Sequence, residues 1–198
     1  MIRLTTPRLL IRDHVPGDLP THHELLSDPK AMRFLQDIMT HDLAQSRENL
    51  RQAMEKVGCP DRIYYFLRME DRATNAHIGE IGYTVTGSAP QGKLAEVGYF
   101  IRADCWGQGY TAEALREVLR FAFEEDGVYR ISCGCLKENG GSERVMQKCG
   151  MIREGELKEF QLHEGKLKDR MVYRLLRPEW ENLRKQGLAC AFSGGENR

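Results

Sequence analysis

The stretch "CWGQGYTAEALREVLRFAFEE", Cys105–Glu125, constrains the fold most. An apolar, strand-like run precedes it, "LAEVGYFIR" (Leu94–Arg102), and another follows it, "YRISCGCL" (Tyr129–Leu136). Between them lie a glycine turn and an amphipathic helix running to about Glu125. Two strands joined through a helix run parallel, by a right-handed crossover. The other runs are linked by short turns and read as antiparallel neighbours. "RLLIRDH" (Arg8–His14) is a first strand, and helices follow over about Asp18–Ser27 and Asp42–Val57. Strands over Ile63–Glu70 and Ala76–Val85 form a hairpin, and "TGSAPQGK" is read as the loop leading to Leu94. A short helix covers Gly141–Gly150, and two strands from Met151 to Leu176 turn at Glu164-Gly165. The expected fold class is α/β (α+β): a mixed, mostly antiparallel sheet of about seven strands flanked by helices, with one parallel junction in its middle.

The glycines have a chemical reading. The first N–H groups of a helix lack internal partners, and the helix dipole adds positive potential there. Gly107 and Gly109 let the backbone approach a ligand closely. Strand, glycine turn and helix N-terminus together suit a phosphate. "GQGYTA" lacks the third glycine of the dinucleotide fingerprint and the Lys-Ser/Thr of a P-loop. Taken alone, GxG fits a plain turn with a capped helix better than a phosphate site.

Composition narrows the partners. The 29 basic and 29 acidic side chains cancel, which argues against nucleic acid as the main partner. No apolar run is long enough for a membrane span or a secretory signal, so a cytoplasmic protein is expected. One domain is expected over residues 1–180, with a partly disordered tail over 181–198. The six cysteines, at 59, 105, 133, 135, 149 and 190, form no CxxC pair and read as free buried thiols in a reducing compartment. The histidines, at 14, 22, 23, 41, 77 and 163, show no HxxxH or HExxH spacing, so no metal is expected. His22-His23 reads as a solvated helix face.

"LAEVGYFIRADCWGQGYTAEALREVLRFAFEE" and "ENGGSERVMQKCGM", with "EGELKEF" and "DRMVYRLL" after them and "LTTPRLLIR" at the start, together resemble the GNAT superfamily of acetyl-CoA-dependent N-acetyltransferases. The likeness is nearest to the RimJ/RimL-type branch and covers about residues 3–180. It implies a splayed parallel strand pair that holds coenzyme A. The amides of Gln108, Gly109, Tyr110, Thr111 and Ala112 would grip the pyrophosphate. Main-chain groups of Tyr99, Phe100 and Ile101 would pair with the pantetheine arm, and the N–H of about Phe100 would polarise the thioester carbonyl. Asn139 resembles the family's asparagine that bonds the arm. Thr111 departs from the usual Gly or Ala, and Met146 stands where many members carry a tyrosine acid.

Acetyl transfer to an amine needs a group to take the amine proton and one to protonate the leaving thiolate. Glu96 matches a strand glutamate that is the base in some members, and partial burial would raise its pKa. Glu80 is a second candidate. Ser142 matches a serine near the sulfur, with a helix N-cap region as the competing role for "NGGS". The acceptor would be a protein N-terminal amine or a small-molecule amine, and a homodimer is compatible with the branch. An inactive acyl-CoA sensor on the same fold is the alternative reading.

Overall fold

The computed structural model describes residues 1–187. Its single sheet has eight strands in the order β1-β2-β3-β4-β5-β6-β8-β7. They are β1 (Arg3–Thr5), β2 (Leu9–Asp13), β3 (Tyr64–Asp71), β4 (His77–Ala89), β5 (Gly92–Ile101), β6 (Val128–Leu136), β7 (Ile152–His163) and β8 (Lys166–Leu176). Every neighbouring pair is antiparallel except β5 with β6. Five α-helices accompany them: α1 (Leu19–Leu26), α2 (Leu43–Met54), α3 (Tyr110–Glu124), α4 (Gly140–Lys148) and α5 (Arg177–Lys185).

Alternation along the strands gives the sheet two unlike faces. Leu9, Ile11, Leu67, Met69, Ile81, Tyr83, Ala95 and Val97 project to one side and bury against Ala114, Leu115, Val118 and Ala122 of α3. The other face carries a cross-strand row of Arg12, Arg68, Glu80 and Phe100, set by the register of β2 to β5. His22 and Thr21 of α1 meet this row, His22 bonding Glu80 and Thr21 bonding Arg68.

Two readings of the sequence change. β1 adds an eighth strand, because three residues are too few to show a period. Residues 86–93 are mostly ladder, not loop: Gly87 pairs with Leu94, Ser88 with Lys93 and Ala89 with Gly92. Backbone pairing there needs no apolar side chains. α5 runs from Arg177 to Lys185 and so spans residue 180. Its Trp180 is buried against Phe123 at a centroid distance of 5.5 Å, so α5 closes the main core. The expected disorder of the tail's end lies outside the described residues.

Trp180→Ala should cost about 3–5 kcal/mol, the usual toll of emptying a large aromatic site in a core. Urea unfolding followed by circular dichroism measures it. An unchanged midpoint would make α5 an appendage.

Candidate active site

The parallel ladder between β5 and β6 is short. It runs from Lys93 opposite Val128 to Glu96 opposite Ser132 and stops there, where Ser132 Oγ donates to Ala95 O at 3.1 Å. β5 continues to Ile101 and β6 to Leu136 without pairing, so the strands part in a V. Each stays bonded on its outer side, β5 to β4 and β6 to β8. A cavity of about 500 Å³ fills the opening. Val97 to Ile101 form one wall, Cys133 to Leu136 the other, and the N-terminal end of α4 closes it.

Peptide direction follows from the ladder. The N–H of Arg102 bonds back to Ile78 O beside β4, while Lys93 N–H and Ala95 O face the β6 side. Residues two apart point the same way. The main-chain groups facing the V therefore belong to Val97, Tyr99 and Ile101. Phe100 lines the cavity, but its peptide faces Glu80 on β4. The N–H groups open to the V are therefore those of Tyr99 and Ile101, and the N–H of Phe100, from which a polarising contact is expected, faces β4 instead.

At the wide end of the V, Gly107 and Gly109 adopt φ of +75° and +82°, the left-handed region that favours glycine. Gly109 is the N-cap of α3, and Glu113 N–H is the first in the helix to bond, to Gly109 O. Among the described residues no acceptor meets the N–H groups of Gln108, Gly109, Tyr110, Thr111 or Ala112. Nothing lies within 4 Å of where a Gly107 Cβ would stand. The turn is braced from behind: Arg8 donates to Gln108 O at 3.0 Å, stacks over Tyr110, and pairs with buried Glu113 at 2.6 Å. The Gln108 side chain folds back to Asp104 O. Thr111 faces the cavity, and Ala112 packs in the core with its carbonyl accepting from Cys149 Sγ.

Asn139 caps α4 by accepting Ser142 N–H at 3.1 Å, the role that competed with ligand binding, and it also lines the cavity. Ser142 Oγ lies 3.0 Å from the Tyr99 hydroxyl. Burial pushes that phenol well above its ordinary pKa, so it stays protonated. The Tyr99 side chain was missed from sequence, where only its backbone was weighed. Strand alternation, which turns it toward α4, was the available signal.

Glu96 stands at the fork of the V, on the face shared with Gly98 and Phe100. Its side chain is 51% exposed and accepts from Arg170 Nη2 at 3.2 Å, so the partial burial expected for it is not found. Arg170, rather than Glu96, lines the cavity. Glu80 lies fully inside the protein opposite Phe100, bonded to His22 Nδ1 at 2.5 Å, and does not line the cavity. Burial raises its pKa, but His14 and His22 outweigh that and hold it below the carboxylate range. His22 is completely buried, which overturns the solvated-face reading.

A family model described as "Acetyltransferase (GNAT) domain" matches residues 8–152. The chain belongs to the GNAT acetyltransferase family. Among the curated relatives of this GNAT protein is YnaD of Bacillus subtilis, an uncharacterized N-acetyltransferase, 30% identical over 180 residues that cover 90% of this chain and 99% of YnaD. Among solved structures, the ribosomal-protein-S5-alanine acetyltransferase of Vibrio fischeri superposes with TM-score 0.77 at 17% identity, covering 91% of this chain and 99% of that one. Spermidine N-acetyltransferase of Vibrio cholerae, in complex with CoA and spermine, superposes with TM-score 0.75 at 20% identity, covering 88% of this chain and 98% of that one. These likenesses are consistent with the RimJ/RimL-type branch of the GNAT family and with an acyltransferase. No described helix is long and apolar enough to cross a membrane.

The cysteines of this GNAT chain make a chemical test of its packing. Cys133 and Cys135 both border the cavity, and Cys59 is exposed, contrary to the uniform burial expected; Cys190 lies outside the described residues. Burial raises the thiols of Cys133 and Cys149 to about 12 and raises that of Cys135 as well. A raised pKa keeps a thiol protonated and unreactive at pH 8. Iodoacetamide at pH 8 should therefore label Cys59 well before Cys133 and Cys149 and spare those two in the folded protein, as read by peptide mass spectrometry. Early labelling of Cys149 would contradict the packing of α3 against α4.

Proposed function

We propose that the chain is an acetyl-CoA-dependent N-acetyltransferase that acetylates a primary amine, by direct attack in a ternary complex. The carrying observation is the V between β5 and β6, which ends at a helix N-terminus with unsatisfied N–H groups. Those donors suit a pyrophosphate without charged side chains. Edge groups of Val97, Tyr99 and Ile101 suit an extended amide-bearing arm, which pairs as an added strand would. Asn139 keeps its amide N–H₂ for the same arm once its oxygen caps α4. Acetyl-CoA supplies the activated acetyl thioester.

In this reading the acceptor enters on the Glu96 and Phe100 face. The amine nitrogen forms a bond to the carbonyl carbon, and the carbon–sulfur bond then breaks. Glu96, directly or through water, receives the proton that the nitrogen loses. Arg170 holds that carboxylate in place. N–H groups of Tyr99 and Ile101 face the developing oxyanion. Ser142, backed by the protonated Tyr99 hydroxyl, stands where the departing thiolate needs a proton. The amine is a protein N-terminus or a small molecule. The cavity wall carries Arg33, Arg144 and Arg170 against the single acidic Glu138, which disfavours a polycation.

The test is thiol release from acetyl-CoA against a panel of amines and short peptides with free N-termini. Turnover should depend on the amine. Glu96→Gln should lower kcat/KM by about 10²–10⁴, the usual worth of a positioned base, while CoA still raises the thermal midpoint. Amine-independent release, or full activity in Glu96→Gln, would contradict the assignment of the base. No turnover with any amine despite CoA binding would favour an acyl-CoA sensor.

A further inference from the structure

The face of the sheet opposite the apolar core buries a charged layer that the acetyl-transfer reading does not use. With neutral imidazoles, its guanidinium groups are Arg12 and Arg68 and its carboxylates are Asp18, Glu70 and Glu80. Two cations against three anions leave room for one further positive charge, a proton or a metal ion. Three histidines surround Glu80. His77 is committed elsewhere, its ring nitrogens lying 3.2 Å from Thr21 O and 3.1 Å from Gly79 O. His14 and His22 are different. His14 is completely buried, and neither of its ring nitrogens has a hydrogen-bond partner. His22 turns Nδ1 to Glu80.

We propose that His14, His22 and Glu80 form a binding site for a divalent transition metal, with zinc the ion that the donor set suits best. One ligand atom from each lies within 4.8 Å of the others. His14 Nε2 is 3.7 Å and His22 Nδ1 is 2.5 Å from the Glu80 carboxylate oxygens. Tetrahedral zinc with bonds of about 2.0–2.1 Å needs its ligand atoms roughly 3.3 Å apart, so small side-chain adjustments suffice. Two imidazoles and a carboxylate make a zinc-type set with one position left for water. Of the nitrogens that would not touch the metal, His22 Nε2 bonds Asn49 Oδ1 at 3.0 Å, and His14 Nδ1 lies 3.4 Å from Asp18 Oδ2, out of hydrogen-bond geometry but near enough to close on it. Such partners fix the tautomer and aim of a metal-bound imidazole. The three ligands come from the end of β2, from α1 and from β4, so no sequence spacing could reveal them. None lines the cavity, so the ion is structural and fastens α1 to the sheet behind Phe100.

A proton is the competing occupant. Desolvation lowers the pKa of His14, but Glu80 and Asp18 outweigh it and bring the pKa to about 9. The test uses the full untagged chain, treated with chelator and then given one equivalent of Zn²⁺ or Co²⁺ at pH 8. Elemental analysis should find one zinc per chain, and the thermal midpoint should rise with zinc. His14→Gln should weaken zinc binding at least about a hundredfold, and Asn49→Ala about ten- to a hundredfold, as outer partners do. Loss of His14 can itself unfold the chain, so the cobalt form of the wild type gives a second reading. Its visible d–d bands should be those of a tetrahedral nitrogen–oxygen site, without thiolate charge transfer. An absence of binding by the wild type, undiminished binding by a folded His14→Gln, or a thiolate band that places the ion on the cysteines would each overturn the proposal.

Discussion

Between Glu96 and Ser132 the parallel ladder stops, and the cavity between β5 and β6 exists because it stops there. An unpaired strand edge inside a sheet is costly unless something else satisfies it. Here both strands keep full ladders on their outer sides, so only the inner edges of the V are left open. Bonds spanning its surroundings hold the strands in place. Tyr99 reaches Ser142 on α4, and Trp106 Nε1 donates to Ile101 O, tying the end of β5 to the glycine turn. The opening is thus built into the register and leads directly to the free N–H groups of α3.

The two faces of the sheet divide the labour. The apolar face is sealed by α3, with α5 closing one end through Trp180. That packing fixes the angle at which the α3 N-terminus meets the V. The opposite face is polar even where it is buried, and Glu96, Gly98 and Phe100 open onto it from β5. In the proposed reaction, thiol chemistry falls to the α4 side, at Ser142 and Tyr99, and amine chemistry to the Glu96 side. The peptides of β5 lie between the two.

Much of this was legible in the sequence because it rests on local patterns. Two glycines ahead of an amphipathic helix pointed to the open N–H groups at the start of α3, and the strand–helix–strand order required the parallel junction. One motif pointed to Asn139 and Ser142, and both line the cavity. What escaped depends on contacts distant in the chain. Glu96 meets Arg170, 74 residues away, so its exposure and partner could not be read from its apolar neighbours Ala95 and Val97. His22 looked like a solvated helix residue because Glu80, its partner, lies 58 positions on. Phe100 and Tyr99 differ by one position, and which peptide faces the V depends on the pairing with β4, which alternation alone leaves open.

The most direct measurement is residue-resolved amide hydrogen exchange along β5, with and without CoA. The account predicts that Tyr99 and Ile101 exchange readily in the free protein and slow markedly when CoA is bound. Phe100, bonded across to β4, should be slow in both. If CoA binds yet leaves Tyr99 and Ile101 unprotected, the V between β5 and β6 is not where the pantetheine arm lies.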